Sequence, residues 1–441
     1  MEQRTFGYTP SEYKQFKHYG WRYLLLFSFL YCAHYCTRLN LSNASALMME
    51  DLNWTTADIG ILTSTLFWTY GIGHLINGRL GEIVGPVRFV CLGVLLSVIA
   101  NVFMSFQSSL LVMALIWGLN GYFQSMVWSP GIATLTSWWP GNTRGFATGF
   151  ANAFSGFGQV AATLMVALAF VIAPNRGWRA AFLIPPLLPV ILLVIYGLFT
   201  KPSPESIGLK QYVEIDEEKA KAEEEMQALV REKGPLYPYK YLMSNPKFIV
   251  WMVVVFAAGL ARYGLVTWIP LYFIERFGVD VEAGLLQSLA LPVGMGIGTL
   301  IVPWLTDRYC PDNRLRAAIL SAILGAASIG IFYMLNPTVG FQLLIIEIML
   351  FIAGFCIYAI NGIVWAYSSD IGGRVFSGTS AGILDFAAYM GAAIQSLLFG
   401  FMLETGGWNH IFMITAAFCL LIAVLGIISS REDQKQKYSN T

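Results

Sequence analysis

Charge is what this sequence has least of. Only 12% of its 441 residues are Asp, Glu, Lys or Arg, about half of what a soluble domain carries. A soluble fold of this length could not clothe itself with so few ionisable side chains. Neither sign dominates, for the net charge is +1, so nothing favours a nucleic-acid partner. Disorder is excluded by a hydrophobic content of 56%. Six cysteines are present, without a CxxC pair or a Cys/His cluster at zinc spacing. There is no P-loop, and the four histidines (His18, His34, His74 and His410) are scattered. The chain therefore reads as a non-enzyme, with no cofactor and no metal implied. The first twenty residues are polar and do not form a signal peptide.

Long apolar runs remain, and a crossing needs about 20 mostly apolar residues. Twelve fit, at roughly 22–47, 57–80, 87–106, 109–138, 145–173, 179–199, 247–275, 281–304, 315–335, 338–367, 376–403 and 409–429. The spacing predicts an all-α membrane protein of twelve transmembrane helices. Residues 1–21 form a polar N-terminal segment and 22–199 a first six-helix bundle. A charged linker, 200–246, leads to a second bundle, 247–429, and a tail, 430–441. Placing both termini in the cytoplasm puts 22 of the 27 Lys and Arg inside. Only Arg176, Arg179 and Arg276 fall outside, and Arg38 and Arg262 lie within spans. That bias predicts a multi-pass protein of the cell (inner) membrane with cytoplasmic termini.

The halves repeat. Arg38 answers Arg262 at an offset of 224, and Glu82 answers Asp307 at 225. Arg144-Gly145-Phe146 answers Arg374-Val375-Phe376, and Gly177-Trp178 answers Gly407-Trp408, both at 230. A near-constant offset predicts two parallel six-helix repeats with a substrate site between them near the midplane. Pro185, Pro186, Pro189, Pro270 and Pro292 are expected to kink their helices.

Arg38 and Arg262 each lie about 16 residues into their spans, some 24 Å deep at about 1.5 Å per residue. A central Arg costs roughly 2.5–3.5 kcal/mol on insertion scales. Each could snorkel, or pair with Glu347 or Asp385. Alternatively, one Arg from each half grips a shared dianion, with the guanidinium fork suited to phosphate. Tyr31, Tyr35 and Arg38 fall at i, i+4 and i+7, one face of a continuous helix. His74 could donate to an anion or change protonation. Asp385 could carry a proton, neutralise an Arg or orient a hydroxyl.

These residues sit in Tyr31-Cys-Ala-His-Tyr-Cys-Thr-Arg38-Leu-Asn40, Gly121-Tyr-Phe-Gln124-Ser-Met-Val-Trp128-Ser-Pro130, Arg262-Tyr-Gly-Leu-Val-Thr-Trp268-Ile-Pro270 and Ser377-Gly-Thr-Ser-Ala-Gly382. In these motifs, and over nearly its whole length, the chain resembles the organophosphate:phosphate antiporter family of the major facilitator superfamily. That family includes glycerol-3-phosphate and hexose-phosphate transporters. The resemblance implies the major facilitator fold, with Arg38 and Arg262 as the phosphate-binding pair and Tyr31, Tyr35, Tyr358 and Tyr389 as site tyrosines. Gln124, in the span 4 motif, and Ser155, His74 and Asp385 are expected to line the substrate site with them. The glycerol-3-phosphate branch has Lys where this chain has His74, and His where it has Ser155. The expected activity is exchange of an organic phosphate ester (a sugar phosphate, phosphoglycerate or related compound) for inorganic phosphate by alternating access, by a monomer in contact with membrane lipid. The rivals are a proton-coupled organic-anion symporter and a transporter-like membrane sensor.

Overall fold

The computed structural model describes residues 8–139, 141–210, 225, 228–234, 236–309, 314–335 and 340–439. Most of the charged linker, and the side chains of Glu82, Asp307 and Arg374, lie outside the described residues. Among the described residues all regular structure is helical. Eleven helices there are long and apolar enough to cross a membrane. Their outward faces carry bare aliphatic side chains such as Leu111, Val171 and Leu198, each about 70% exposed. Lipid is the solvent that accepts such a surface.

The twelfth crossing is the first segment, and here the structure differs from the sequence expectation. Residues 22–47 are not one helix. Pro10–His34 gives way to a 3-10 turn at Tyr35–Thr37, and a second helix runs Asn40–Leu52. Arg38 sits in the break with φ −127° and ψ −46°. Tyr31, Tyr35 and Arg38 therefore do not share one continuous helix face. The segment still crosses from end to end. Gly20 O accepts from Trp139 Nε1 at 3.2 Å near the chain's N-terminus, and Asp51 meets Trp178 and Arg179 at the far side.

Turn chemistry sets the ends. Thr9 and Glu12 make a capping box before the first helix, and Thr55 and Asp58 make another before span 2. Asn53 closes the first segment at φ 53°. Span 6, Pro174–Phe199, is broken between Leu183 and Leu187 at Pro185 and Pro186, as the prolines predict. Pro292 falls in the first turn of the second helix of span 8, Ala290–Tyr309. Pro270 is carried inside span 7, Pro246–Phe277. Spans 10 and 11, Gln342–Asn361 and Thr379–Thr405, lie within one helical run. Tyr358 nonetheless lies against Arg262 of span 7, and Ala388 of span 11 abuts Gly259 of the same helix, so the chain reverses between them.

The repeat is visible in the folded chain. Gly177 and Gly407 adopt φ 54° and 71°, a region that a Cβ would disfavour. Each throws the following Trp onto a carboxylate. Trp178 Nε1 donates to Asp51 at 2.8 Å, and Trp408 Nε1 donates to Glu275 at 3.1 Å. Asp51 and Glu275 are themselves 224 residues apart, the offset of the two arginines. Each brace ties the far end of a half's first span to the start of its sixth.

The halves meet tightly at the end away from the termini. Thr56 Oγ1 donates to Gly400 O at 2.8 Å, and the Ala57 N–H donates to Glu404 Oε1 at 3.2 Å. Deeper in, the Gly156 backbone of span 5 abuts that of Gly296 in span 8. Toward the termini Gly145, Gly149 and Gly382 have open space beside them. Among the described residues these contacts seal the molecule at the end away from the termini.

Candidate anion site between the halves

The break in span 1 is what presents Arg38. It is held by side chains from other spans. Thr37 O, released from the helix ladder, accepts from Asn101 Nδ2 at 2.9 Å and Asn120 Nδ2 at 2.8 Å. Thr37 Oγ1 accepts from Gln124 Nε2 at 2.7 Å and donates to His34 O at 2.7 Å. Asn40 Nδ2 donates to Asn101 Oδ1 at 2.5 Å and to Ala181 O at 3.0 Å. The amide of Gln124 thus positions the turn that carries Arg38. A buried carbonyl without such donors costs about 1–3 kcal/mol, so these amides make the break cheap. Asn120→Leu should therefore raise the anion concentration for half-maximal thermal stabilisation about tenfold. An unchanged concentration dependence would remove the turn from the site's support.

Both arginines are buried, Arg38 to 4% exposure and Arg262 to 8%. Snorkelling is therefore excluded. No described carboxylate pairs with either guanidinium within 4.0 Å. Their partners are aromatic rings. Arg38 lies 4.2 Å over Tyr35 and 5.2 Å over Tyr70. Arg262 lies 4.4 Å over Tyr263 and 4.3 Å over Tyr358, and donates to Tyr263 Oη at 2.9 Å. The Nε of each arginine has no partner. Desolvated cation–π contacts are worth about 2 kcal/mol each, less than the several kcal/mol that burying an ion costs. Positive charge here is cushioned but not balanced. Arg38 lies over Tyr70, Tyr70 meets Tyr389 at 4.2 Å, Tyr389 meets Tyr263 at 5.9 Å and Arg262 lies over Tyr263, so one run of rings joins the two charges.

Around the arginines stands an aromatic wall built from both halves. Tyr70 and Tyr389 lie 4.2 Å apart, His74 stacks on Tyr389 at 5.6 Å, and Phe67 meets Tyr263 at 4.4 Å. Tyr31 Oη and Tyr35 Oη are 3.4 Å apart, with Tyr31 against Trp128 at 4.8 Å. Ser155 Oγ hydrogen-bonds Tyr358 Oη across the halves, and Ser155 donates to Asn152 O at 2.6 Å. His74 Nδ1 is 3.6 Å from Asp385 Oδ2 and 3.4 Å from Ser129 Oγ, and its Nε2 is unpartnered. Asp385 thus has His74, from the other half, as its near neighbour.

The structure thus brings Arg38, Arg262, Tyr35, His74, Ser155, Tyr358, Asp385 and Tyr389 to one layer. Tyr31 stands at its edge and Gln124 behind it. Sequence reasoning missed Tyr70 and Tyr263. Tyr70 lies one turn from His74 and Tyr263 is next to Arg262, so spacing from the residues already singled out would have found both. Chemically the layer offers two guanidinium forks and several phenol donors, and no fixed anion on either Arg.

Comparison with known proteins agrees with this architecture. The model of the Major Facilitator Superfamily matches residues 27–396. A probable hexose phosphate transport protein of Chlamydia trachomatis is 27% identical, covering 97% of this chain and 95% of its own. The glycerol-3-phosphate transporter of Bacillus subtilis is 27% identical over 89% of this chain and 88% of its own. Among solved structures, a bacterial homolog of the human lysosomal transporter Spinster, inward-facing and unoccupied, superposes with a TM-score of 0.71. It covers 94% of this chain and 97% of its own at 17% identity, a likeness of fold.

Proposed function

The chain belongs to the Major Facilitator Superfamily, and we propose that it exchanges an organic phosphate ester for inorganic phosphate by alternating access. The observation that carries this reading is the pair of buried arginines, one from each half, with no described carboxylate on either. Two like charges in one chamber repel and resist closure. A phosphate dianion cancels them, accepts from both forks and draws the halves together. A carrier that occludes readily only when loaded is an exchanger. The relatives named for hexose phosphate and glycerol 3-phosphate support the same anion class.

In this reading Tyr35, Tyr389 and Tyr31 add hydroxyl donors around the phosphate, and Ser155 with Tyr358, and His74 with Asp385, bridge the halves beside it. The bundles 22–199 and 247–429 move as the two rocking units. A monomer suffices, because one chain supplies both arginines. The basic bias supports cytoplasmic termini, which turns the sealed end outward.

The test uses purified protein in liposomes preloaded with phosphate, following entry of radiolabelled phosphate. Rapid entry that requires internal phosphate is expected. The contact of His74 with Asp385 across the halves gives a second reading, proton-coupled uptake. That reading requires accumulation into phosphate-free liposomes under an inward proton gradient, lost in Asp385→Asn. Such a result would overturn the exchange mechanism.

A further inference from the structure

A short helix, Tyr237–Met243, precedes span 7 and is separate from it. Ser244 and Asn245 divide the two, and the Asn245 side chain accepts from the Lys247 N–H at 3.0 Å, capping the span that begins at Pro246. Exposed Ile249 and Val253 already face lipid in the first turns of that span. A helix two residues short of a crossing lies at the border of the bilayer. The first half has no such element, because Pro10–His34 runs unbroken into span 1.

One face of this helix is spent on the protein. Pro238 and Leu242, at i and i+4, are buried, and Leu242 joins an apolar cluster with Phe248, Trp251 and Leu384. The opposite face would be polar if water covered it. Instead Leu236 is 74% exposed, Met243 43% and Tyr239 39%. At 3.6 residues per turn these three fall within about 60° of one another, well away from Pro238 and Leu242. The charge around them has one sign. Residues 231–247 hold four cations, Arg231, Lys233, Lys240 and Lys247, against the single carboxylate of Glu232. Lys240 is exposed beside Tyr239, and Lys233 lies 5.0 Å over the Tyr237 ring. Lys and Tyr settle at headgroup level, with the stem or ring in apolar surroundings and the polar tip in water.

We propose that Tyr237–Met243 is an interfacial foot of the second half. It lies on the leaflet at the side of the termini, sinks Leu236, Tyr239 and Met243 to the acyl boundary, and holds the phosphates of anionic phospholipid with Lys233 and Lys240. An apolar anchor and a basic pair are the two signals that stable attachment to a membrane surface takes. A zwitterionic lipid carries no net charge and rewards the apolar face alone, whereas an anionic one rewards both. The foot stands apart from the arginine layer. Arg262 is 16 residues past Pro246, some 24 Å along span 7, so the proposal does not depend on which anion is transported.

The test melts the full chain in detergent with rising mole fractions of phosphatidylglycerol or phosphatidylcholine. Saturating inorganic phosphate is present, so that lipid phosphate does not compete at the arginine layer. Phosphatidylglycerol should stabilise the protein at lower mole fraction. Lys233→Gln with Lys240→Gln should raise the fraction needed for half-maximal effect about 25-fold, about fivefold for each cation, and leave the phosphatidylcholine response as it was. Leu236→Ser with Met243→Ser should weaken the response to both lipids. Arg176→Gln, an exposed cation at the far end of the molecule, should change neither. Amide hydrogen exchange in nanodiscs gives the local readout without a substitution. Over residues 236–243 it should be slower in phosphatidylglycerol than in phosphatidylcholine. Equal stabilisation by the two lipids overturns the inference, as does a preference that the lysine variant retains or that Arg176→Gln removes equally. So does the same amide exchange in both lipids, the result expected if this face meets water or a soluble protein.

Discussion

Replacing Arg38 or Arg262 by Ala is expected to abolish phosphate exchange and, in the same protein, to raise thermal stability without ligand. The two effects have opposite signs because the charge is a structural liability held for binding. Each guanidinium is buried on aromatic rings with its Nε idle and no carboxylate at hand. Truncation relieves that desolvation, which is worth a few kcal/mol where an ion is unpaired. Binding loses two or more charge-assisted hydrogen bonds at about 1.5–3 kcal/mol each, so affinity should fall by about 10² to 10⁴. Lysine in either place keeps the charge but not the planar fork, and should recover part of the binding. Exchange rates in liposomes and melting curves in detergent, with and without phosphate, read both signs. Normal exchange in both alanine variants would sink the two-arginine site. Destabilisation of both would mean that the tyrosine cages stabilise the charge more than its burial costs.

The next largest effect is expected from a residue that bears no charge. A Cβ on Gly156 would stand 2.4 Å from Gly296 Cα in the opposite half, and 2.4 Å from its N. Backbone cannot yield as a side-chain tip can. Gly156→Val should therefore exclude the arrangement seen here and hold the carrier open at the end that is now sealed. Exchange needs both arrangements, so it should fall by about 100-fold or more, the factor that about 3 kcal/mol of overpacking imposes on one state. Phosphate should still stabilise the variant thermally, since the arginines remain. A Gly197→Ala control meets only Cys91 Sγ, at 3.8 Å, and should exchange normally. Cysteine labelling of a residue near the Thr56–Gly400 seam would rise in Gly156→Val if the sealed end has opened. Unaltered exchange would show that spans 5 and 8 need not touch during turnover.

Much of this was legible before folding. The crossings announce themselves through length and hydropathy, since lipid allows few alternatives. Arg38 and Arg262 stand out because burying them is expensive, and their shared offset ties them to a duplication. The broken first span was not legible. Nothing from Tyr31 to Asn43 is Pro or Gly. The turn is held by Asn101 and Asn120, whose proximity only the assembled bundle creates. For the same reason Gln124 was grouped with substrate contacts, while its amide is spent on Thr37. His74 and Asp385 were each identified as intramembrane polar residues, but their meeting at 3.6 Å depends on two helices from different halves.

The twin braces, Trp178 on Asp51 and Trp408 on Glu275, bear on how a turnover is geared. Each clamps the outer ends of two helices that would otherwise flex separately, so each half behaves as one stiff lever arm. Motion is then confined to the seam between the levers. The activation barrier should reflect what is unzipped along that seam, a few hydrogen bonds and the Gly156–Gly296 contact, rather than the bending of twelve helices. A gene duplication that copied the brace along with the arginine would have delivered both arms of the machine at once, already matched in stiffness.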